Sequence, residues 1–280
     1  MNNSIGIVGT GVMGRSIARL CAQNGYPVLL VAHTKSSAIK AEFNLQKEIK
    51  RKVEKGHLLP EVCKRIIITE SLCNLRNTKF VIEAITEAYE PKKDLYNDLE
   101  TTVAKDAVIA TNTSSLSISK LADGMMSPER FIGLHFFNPA EVMKLVEVKM
   151  GDETDVTAME KAIHHLNKLG KESILFPDRA GMCVNRIIFP MLVEAMYLLQ
   201  ETKMESEAID KAMKLGTNMP LGPLELCDLI GNDVVLNICD RLYEETGDLK
   251  YAAPYILKGM VMEHELGRKT GIGFYDYRGD

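Results

Sequence analysis

The segment IGIVGTGVMG, residues 5–14, restricts the fold more than any other stretch of this chain. An apolar run typical of a buried strand leads into Gly9, Gly11 and Gly14, spaced GxGxxG, and a helical stretch follows and ends at Asn24-Gly25. In that strand–turn–helix setting each glycine has a task. The first permits a tight turn, the second lets a pyrophosphate approach the backbone, and the third lets the helix pack closely on the strand. The first helical turn, with Val12 and Met13, then presents backbone N–H groups to an anion. A chain carrying this unit is expected to hold a dinucleotide at the carboxyl ends of a parallel sheet.

The first half of the sequence repeats the alternation. Ile5–Val8, Val28–Val31, Ile66–Thr69, and residues 80–82 and 107–110 read as buried strands, and residues 13–24, 36–55 and 91–104 read as helices. Pro91 suits a first helical turn, where its missing N–H costs nothing. The pattern predicts an α/β fold, a Rossmann-type doubly wound sheet with right-handed crossovers. The helix at 36–55 is long and polar for a simple crossover, so part of it is expected to project from the sheet. Strand signals stop at about Asp178. Residues 184–200, 204–214, 223–227 with 232–245, and 251–265 read as helices separated by loops such as LGTNMPLGP. The predicted division is a dinucleotide-binding domain at 1–177 and an all-helical domain at 178–280, which would serve substrate binding and dimerisation. The run IIFPMLVEAMYLL at 187–199 implies a helix buried nearly all round, either in the core of that domain or at an interface.

Composition excludes several classes. Of 280 residues, 46% are hydrophobic and 26% charged, which removes disordered and fibrous chains. A formal charge of −4 gives no signal for nucleic acid. No apolar run approaches the roughly 20 residues that cross a bilayer. The first strand begins near Ile5, leaving no room for a cleavable leader. Cys21, Cys63, Cys73, Cys183, Cys227 and Cys239 form no close pair and read as reduced thiols, not metal ligands. The expectation is a cytoplasmic protein without a metal.

The end of the second strand breaks a rule. An NAD site normally presents an acidic residue there to hold the ribose 2′-hydroxyl. Here the segment is VLLVAHTKSS, with Ala32 at that position and His33, Thr34, Lys35, Ser36 and Ser37 after it. One reading is a donor-rich, cationic nest for the 2′-phosphate of NADP. The other is a solvated loop, with NAD held by water or main chain.

Two further segments carry chemistry. His135 and Glu147, twelve residues apart in GLHFFNPAEVMKLVEV, offer an imidazole to move a proton and a carboxylate to orient it. That spacing brings them together only if the chain doubles back, for example as neighbouring strands joined across NPAEV. TNTSSLSIS, residues 111–119, follows the fifth strand, so Asn112 and Ser114 emerge at the carboxyl end of the sheet. Most serines there also fit simple turn or cap roles. His33, His57, His164, His165 and His264 read as solvated.

Together these residues resemble the 3-hydroxyacyl-CoA dehydrogenases, particularly the short-chain 3-hydroxybutyryl-CoA type. The resemblance runs nearly end to end, through GTGVMG, VIEAITE, NTSSLSI, GLHFFNPAEVMKLVEV, VNRI, AMKLGTNMPLGPLEL and GRKTGIGFYDY. It implies that His135 is the general acid/base and that Glu147 orients it. Ser114 and Asn185 would contact the reacting oxygen and position the substrate. Asn112, Glu87 and Lys92 match positions that hold the nicotinamide-ribose end of the cofactor. Arg51, Lys52 and Lys55 are candidates to meet the CoA phosphates, or else a solvated helix face. A homodimer is implied as well. The chain departs from the family at DRAGMC, where Ala180 and Met182 replace the usual proline and phenylalanine and would loosen the turn. The alternatives are a dehydrogenase of free hydroxy or sugar acids, of the gulonate-dehydrogenase/crystallin type, and an idle nucleotide-binding protein that keeps only the fold.

Overall fold

Runs of Val, Ile and Leu without alternation suit strands covered on both faces, and the chain uses them that way. The computed structural model describes residues 4–179 and 181–279. The chain divides into two units, Met1–Arg179 and Ala180–Asp280. The first contains β1 (Ile5–Val8), α1 (Val12–Gln23), β2 (Val28–Val31), α2 (Lys35–Glu54), β3 (Ile66–Thr69), β4 (Phe80–Glu83), α3 (Tyr89–Thr102), β5 (Val108–Thr111), α4 (Ile118–Ala122), β6 (Phe131–Phe136), β7 (Leu145–Met150), α5 (Val156–Lys168) and β8 (Glu172–Phe176). They build one eight-stranded sheet ordered β3-β2-β1-β4-β5-β6-β7-β8. The first six strands of that order are parallel, and the order reverses between β1 and β4. Ligands bind in α/β sheets at such a switch point.

The sheet is not parallel throughout. β7 runs antiparallel to β6, and β8 runs parallel to β7. Parallel strands need a crossover of about a dozen residues or more; residues 137–144 are too few, so the chain turns back on itself. β1, β4, β5 and β6 are buried along their whole length, with hydrophobic cores on both faces of the sheet. On α2, Ala41, Leu45 and Ile49 form a buried stripe at helical spacing, while Ile39, Phe43 and Arg51 are exposed. The helix therefore rests on the unit along one stripe and presents the rest to solvent.

The second unit contains α6 (Cys183–Thr202), α7 (Ser206–Thr217), α8 (Pro223–Ile230), α9 (Asn232–Thr246) and α10 (Tyr255–Met262). α6 corrects two expectations. By length and composition it could cross a membrane, although the sequence suggested no such run. Within the single chain it is also not buried all round, since Ile187 is 68% exposed while Phe189, Leu192, Val193 and Met196 enter the helical core, which leaves only the interface form of that expectation. The helix expected at 251–265 is shorter, because Pro254 disfavours helical geometry in the residue before it and α10 starts one residue after it. The closing GFYDY is held by buried carboxylates: Asp228 accepts from the N–H groups of Phe274 and Tyr275, each at 2.9 Å, and Asp210 from the Tyr275 hydroxyl at 2.7 Å. Met182 is fully buried as the N-cap of α6, and Ala180 lies outside the described residues.

Candidate active site

The glycine loop has the shape a pyrophosphate needs. Gly9 has φ +114°, and a Cβ there would lie 2.4 Å from the Ala84 carbonyl oxygen. A Cβ on Gly14 would lie 1.9 Å from the Gly9 oxygen, so both positions are closed to other residues. Gly11 is the reverse, with nothing within 4 Å of where its Cβ would be. Gly11 is also the N-cap of α1, and no side chain caps that terminus. Val12 is 60% exposed beside it, and Met13 packs against the core. An open face over N–H groups at a helix start fits a dinucleotide phosphate.

At the end of β2, Ala32 is buried and its N–H donates to the Thr69 oxygen at 2.8 Å. His33, Thr34, Lys35 and Ser36 are exposed. Thr34 and Ser37 form a reciprocal capping box on α2, which commits their hydroxyls to the helix. His33, Lys35 and Ser36 remain as the outward-facing polar groups.

The end of β4 carries a buried charge that the sequence reading missed. Glu83, fully buried, accepts from Lys92 Nζ at 2.6 and 2.8 Å, from the Tyr96 hydroxyl at 2.5 Å, from the Thr111 hydroxyl at 2.7 Å and from the Ile85 N–H at 2.6 Å. Burial, followed by the Glu83 charge and hydrogen bond, pushes the Tyr96 hydroxyl well above its usual range. The available signal was a carboxylate closing the apolar run FVIE. Lys92 is also fully buried, so its ammonium serves Glu83 and, at 3.6 Å, Glu87. That inward setting differs from the cofactor contact expected of Lys92. Glu87 organises the serine loop: its Oε1 accepts from the Thr113 hydroxyl at 2.7 Å, the Ser114 N–H at 2.8 Å and the Ser115 N–H at 3.2 Å. The Ser114 hydroxyl lies 3.2 Å from the same oxygen.

Asp178 anchors the far end of that loop, accepting from the Ile118 N–H at 2.9 Å, the Ser119 N–H at 2.8 Å and the Ser117 hydroxyl at 2.8 Å. Burial works to raise its carboxyl, and these donors outweigh it and hold it below the usual range. This contact explains why the first unit extends to Arg179, two residues past the predicted boundary.

His135 and Glu147 meet directly. They are register partners across β6 and β7, and His135 Nδ1 lies 2.8 Å from Glu147 Oε2. His135 is 8% exposed and Glu147 fully buried. A carboxylate only accepts, so Nδ1 carries the proton in that bond and Nε2 is left outside it. The Phe137 ring lies against the imidazole, centroids 4.6 Å apart. Asn112 Oδ1 accepts from the Phe136 N–H at 3.0 Å, tying the end of β5 to the end of β6. His135, Glu147, Asn112, Ser114 and Glu87 thus belong to one end of one sheet. Asn185 belongs to the second unit, in the first turn of α6, and is 9% exposed. On α2, Arg51 and Lys55 are exposed, whereas Lys52 Nζ lies 3.3 Å from Glu141. His165 is not a solvated histidine: its ring stacks on Phe80 with centroids 4.4 Å apart.

Comparison with known proteins agrees with this geometry. Residues 4–179 match the NAD binding domain of 3-hydroxyacyl-CoA dehydrogenase, and residues 181–277 match its C-terminal domain. The chain is 39% identical to a 3-hydroxybutyryl-CoA dehydrogenase of Clostridioides difficile over 277 residues, covering 98% of this chain and 99% of that protein. It resembles the solved (S)-3-hydroxybutyryl-CoA dehydrogenase of Ralstonia eutropha with TM-score 0.90 and 39% identity, over 98% of this chain and 99% of that one. The structure of FadB2 from M. tuberculosis gives TM-score 0.94 at 34% identity, over 98% and 99% of the two chains. The chain belongs to the 3-hydroxyacyl-CoA dehydrogenase family and is an oxidoreductase of that family's two-domain, nicotinamide-dependent kind.

Proposed function

We propose that the enzyme interconverts short-chain (S)-3-hydroxyacyl-CoA and 3-oxoacyl-CoA, with 3-hydroxybutyryl-CoA and acetoacetyl-CoA as its pair. The observation that carries this reading is the buried His135–Glu147 contact at 2.8 Å, together with relatives of matching length named for that substrate. A bound nicotinamide supplies or accepts the hydride. In oxidation, His135 Nε2 takes the hydroxyl proton while Glu147 steadies the imidazolium. In reduction, the same nitrogen returns the proton to the keto oxygen. Ser114 orients that oxygen and stabilises its developing charge. Glu87 and Asn112 would hold the loops that meet the nicotinamide ribose, with Lys92 acting through Glu87. Arg51 and Lys55 meet the CoA phosphates, and Lys52 reaches them only by leaving Glu141.

NADP is the preferred cofactor in this reading. Ala32 puts no carboxylate against a 2′-phosphate, and His33, Lys35 and Ser36 stand at the N-terminus of α2, where helix polarity favours an anion. The helical unit serves dimerisation, supported by exposed Ile187, Leu215, Leu229, Leu249, Tyr255 and Met262. A reducing, cytoplasmic setting suits Cys21, Cys227 and Cys239, which are buried free thiols. The test is the initial rate of acetoacetyl-CoA reduction against that of free acetoacetate, with NADH and NADPH titrated separately. Turnover of the thioester with NADPH favoured supports the reading. Turnover of the free acid alone replaces it with the free hydroxy-acid reading.

A further inference from the structure

Ser16, Arg19 and Glu141 form a buried polar knot that proton transfer does not use. Ser16 and Arg19 lie on α1 and are 0% and 5% exposed. Glu141 lies in the turn between β6 and β7. Its Oε2 accepts from the Ser16 hydroxyl at 2.5 Å, and its Oε1 accepts from Arg19 Nε at 2.5 Å. Ser16 Oγ also accepts from the Ala140 N–H at 2.8 Å. From the other side, Lys171 Nζ donates to the carbonyl oxygens of Ala140 at 2.6 Å and Met143 at 2.8 Å. Burial alone would raise the Glu141 carboxyl, and the Arg19 charge with the Arg19 and Ser16 hydrogen bonds holds it below its usual range.

The knot continues towards the glycine loop. Arg19 and Arg15 both pair with Glu48 of α2, and Arg15 donates to the Thr10 carbonyl oxygen at 2.7 Å. An unbroken series of charge-assisted bonds therefore joins the pyrophosphate loop to the turn that leaves the His135 strand. An ion pair that served stability alone has no need of this location. Hydride transfer does, because a misplacement of about 1 Å costs on the order of 100-fold in rate.

We propose that Glu141, gripped by Ser16 and Arg19, is a positioning residue that locks the 137–144 turn, and so His135, to the helix that carries the cofactor phosphates. This rests on the acid/base reading of His135. The test compares full-length Glu141→Ala and Glu141→Gln with the wild type in three measurements: acetoacetyl-CoA reduction, dinucleotide titration and amide hydrogen exchange. Glu141→Ala is expected to lower kcat about 10- to 100-fold, to leave dinucleotide Kd within about threefold, to leave substrate KM unraised because it also frees Lys52 for the CoA phosphates, and to speed exchange at Ala140. Glu141→Gln keeps an acceptor for Ser16 and is expected to recover most of kcat. If the alanine variant does not fold, Ser16→Ala removes the acceptor of the Ala140 N–H without stranding a charge and takes its place. Unchanged exchange at Ala140, or a wild-type kcat with the turn released, overturns the proposal. Absence of turnover in the wild type would instead strike the proposed function, and exchange at Ala140 would still decide whether the grip exists.

Discussion

His135 and Glu147 are twelve residues apart in the chain and directly opposite each other across β6 and β7, joined through Nδ1 and Oε2 at 2.8 Å. Their meeting follows from strand register. A slip of one residue would place the two side chains on opposite faces of the sheet, so the short turn at 137–144 sets the geometry of the pair as well as the topology.

Glu147→Gln keeps a hydrogen-bond partner but loses the charge that steadies the imidazolium. It is expected to lower kcat for acetoacetyl-CoA reduction by up to about 10⁴-fold, the cost of an amide behind the histidine of a Ser-His-Asp triad, where the wrong tautomer is held. Circular dichroism should show an intact fold. Rates within about twofold of wild type would show that the carboxylate has no part in the chemistry.

Ala32→Asp restores the acidic residue that holds a ribose 2′-hydroxyl and would repel a 2′-phosphate. The ratio of kcat/KM with NADPH to that with NADH should fall at least about tenfold, a shift of roughly 1.4 kcal/mol. An unchanged ratio would mean that the β2 loop does not read the phosphate.

Lys92→Met strips the cation from Glu83, and both groups are fully buried. Breaking a buried pair by removing one partner costs about 3–5 kcal/mol, so the urea midpoint should drop sharply. Lys92→Met joined to Glu83→Gln, which removes both charges and keeps an acceptor among the Tyr96, Thr111 and Ile85 donors, should cost less than Lys92→Met alone. A greater loss in the double variant would contradict the view of Lys92 as a structural counter-ion.

Burial, helped by the nearby His164 and Lys168 charges, pushes the His165 imidazole down to about 4. Unfolded, it titrates near 6.5. Between those values the unfolded chain binds more protons, so stability should fall as pH drops from about 6.5 towards 4 and gain nothing from this group above that window. His165→Phe, which keeps the stack on Phe80, should flatten that part of a plot of melting temperature against pH. A slope equal to wild type would place the titration elsewhere.

The parts of this fold that local pattern determines were readable. Strands β1 and β2 fall on their apolar runs because near-continuous burial leaves a continuous signal, and β3, an edge strand, was readable from its β-branched run IIIT although Ile67 is exposed. β8 gave no such signal, since Glu172, Ile174 and Leu175 are exposed on an edge strand. The glycine loop was legible for the same local reason. The His135–Glu147 contact was legible only as a condition, that the chain double back. Asp178 and Glu141 were invisible because their partners lie 61 and 122 residues away, and no short-range period marks a contact of that kind. His165 was misread because a helix surface and a helix end packed on a strand look alike in sequence.

The most direct test of the account is His135→Ala, assayed for acetoacetyl-CoA reduction alongside dinucleotide binding. The account predicts a fall in kcat of about 10²- to 10⁴-fold, the usual worth of a general acid, with dinucleotide affinity within about threefold of wild type. Near wild-type turnover in the folded variant would contradict it and remove His135 from the reaction.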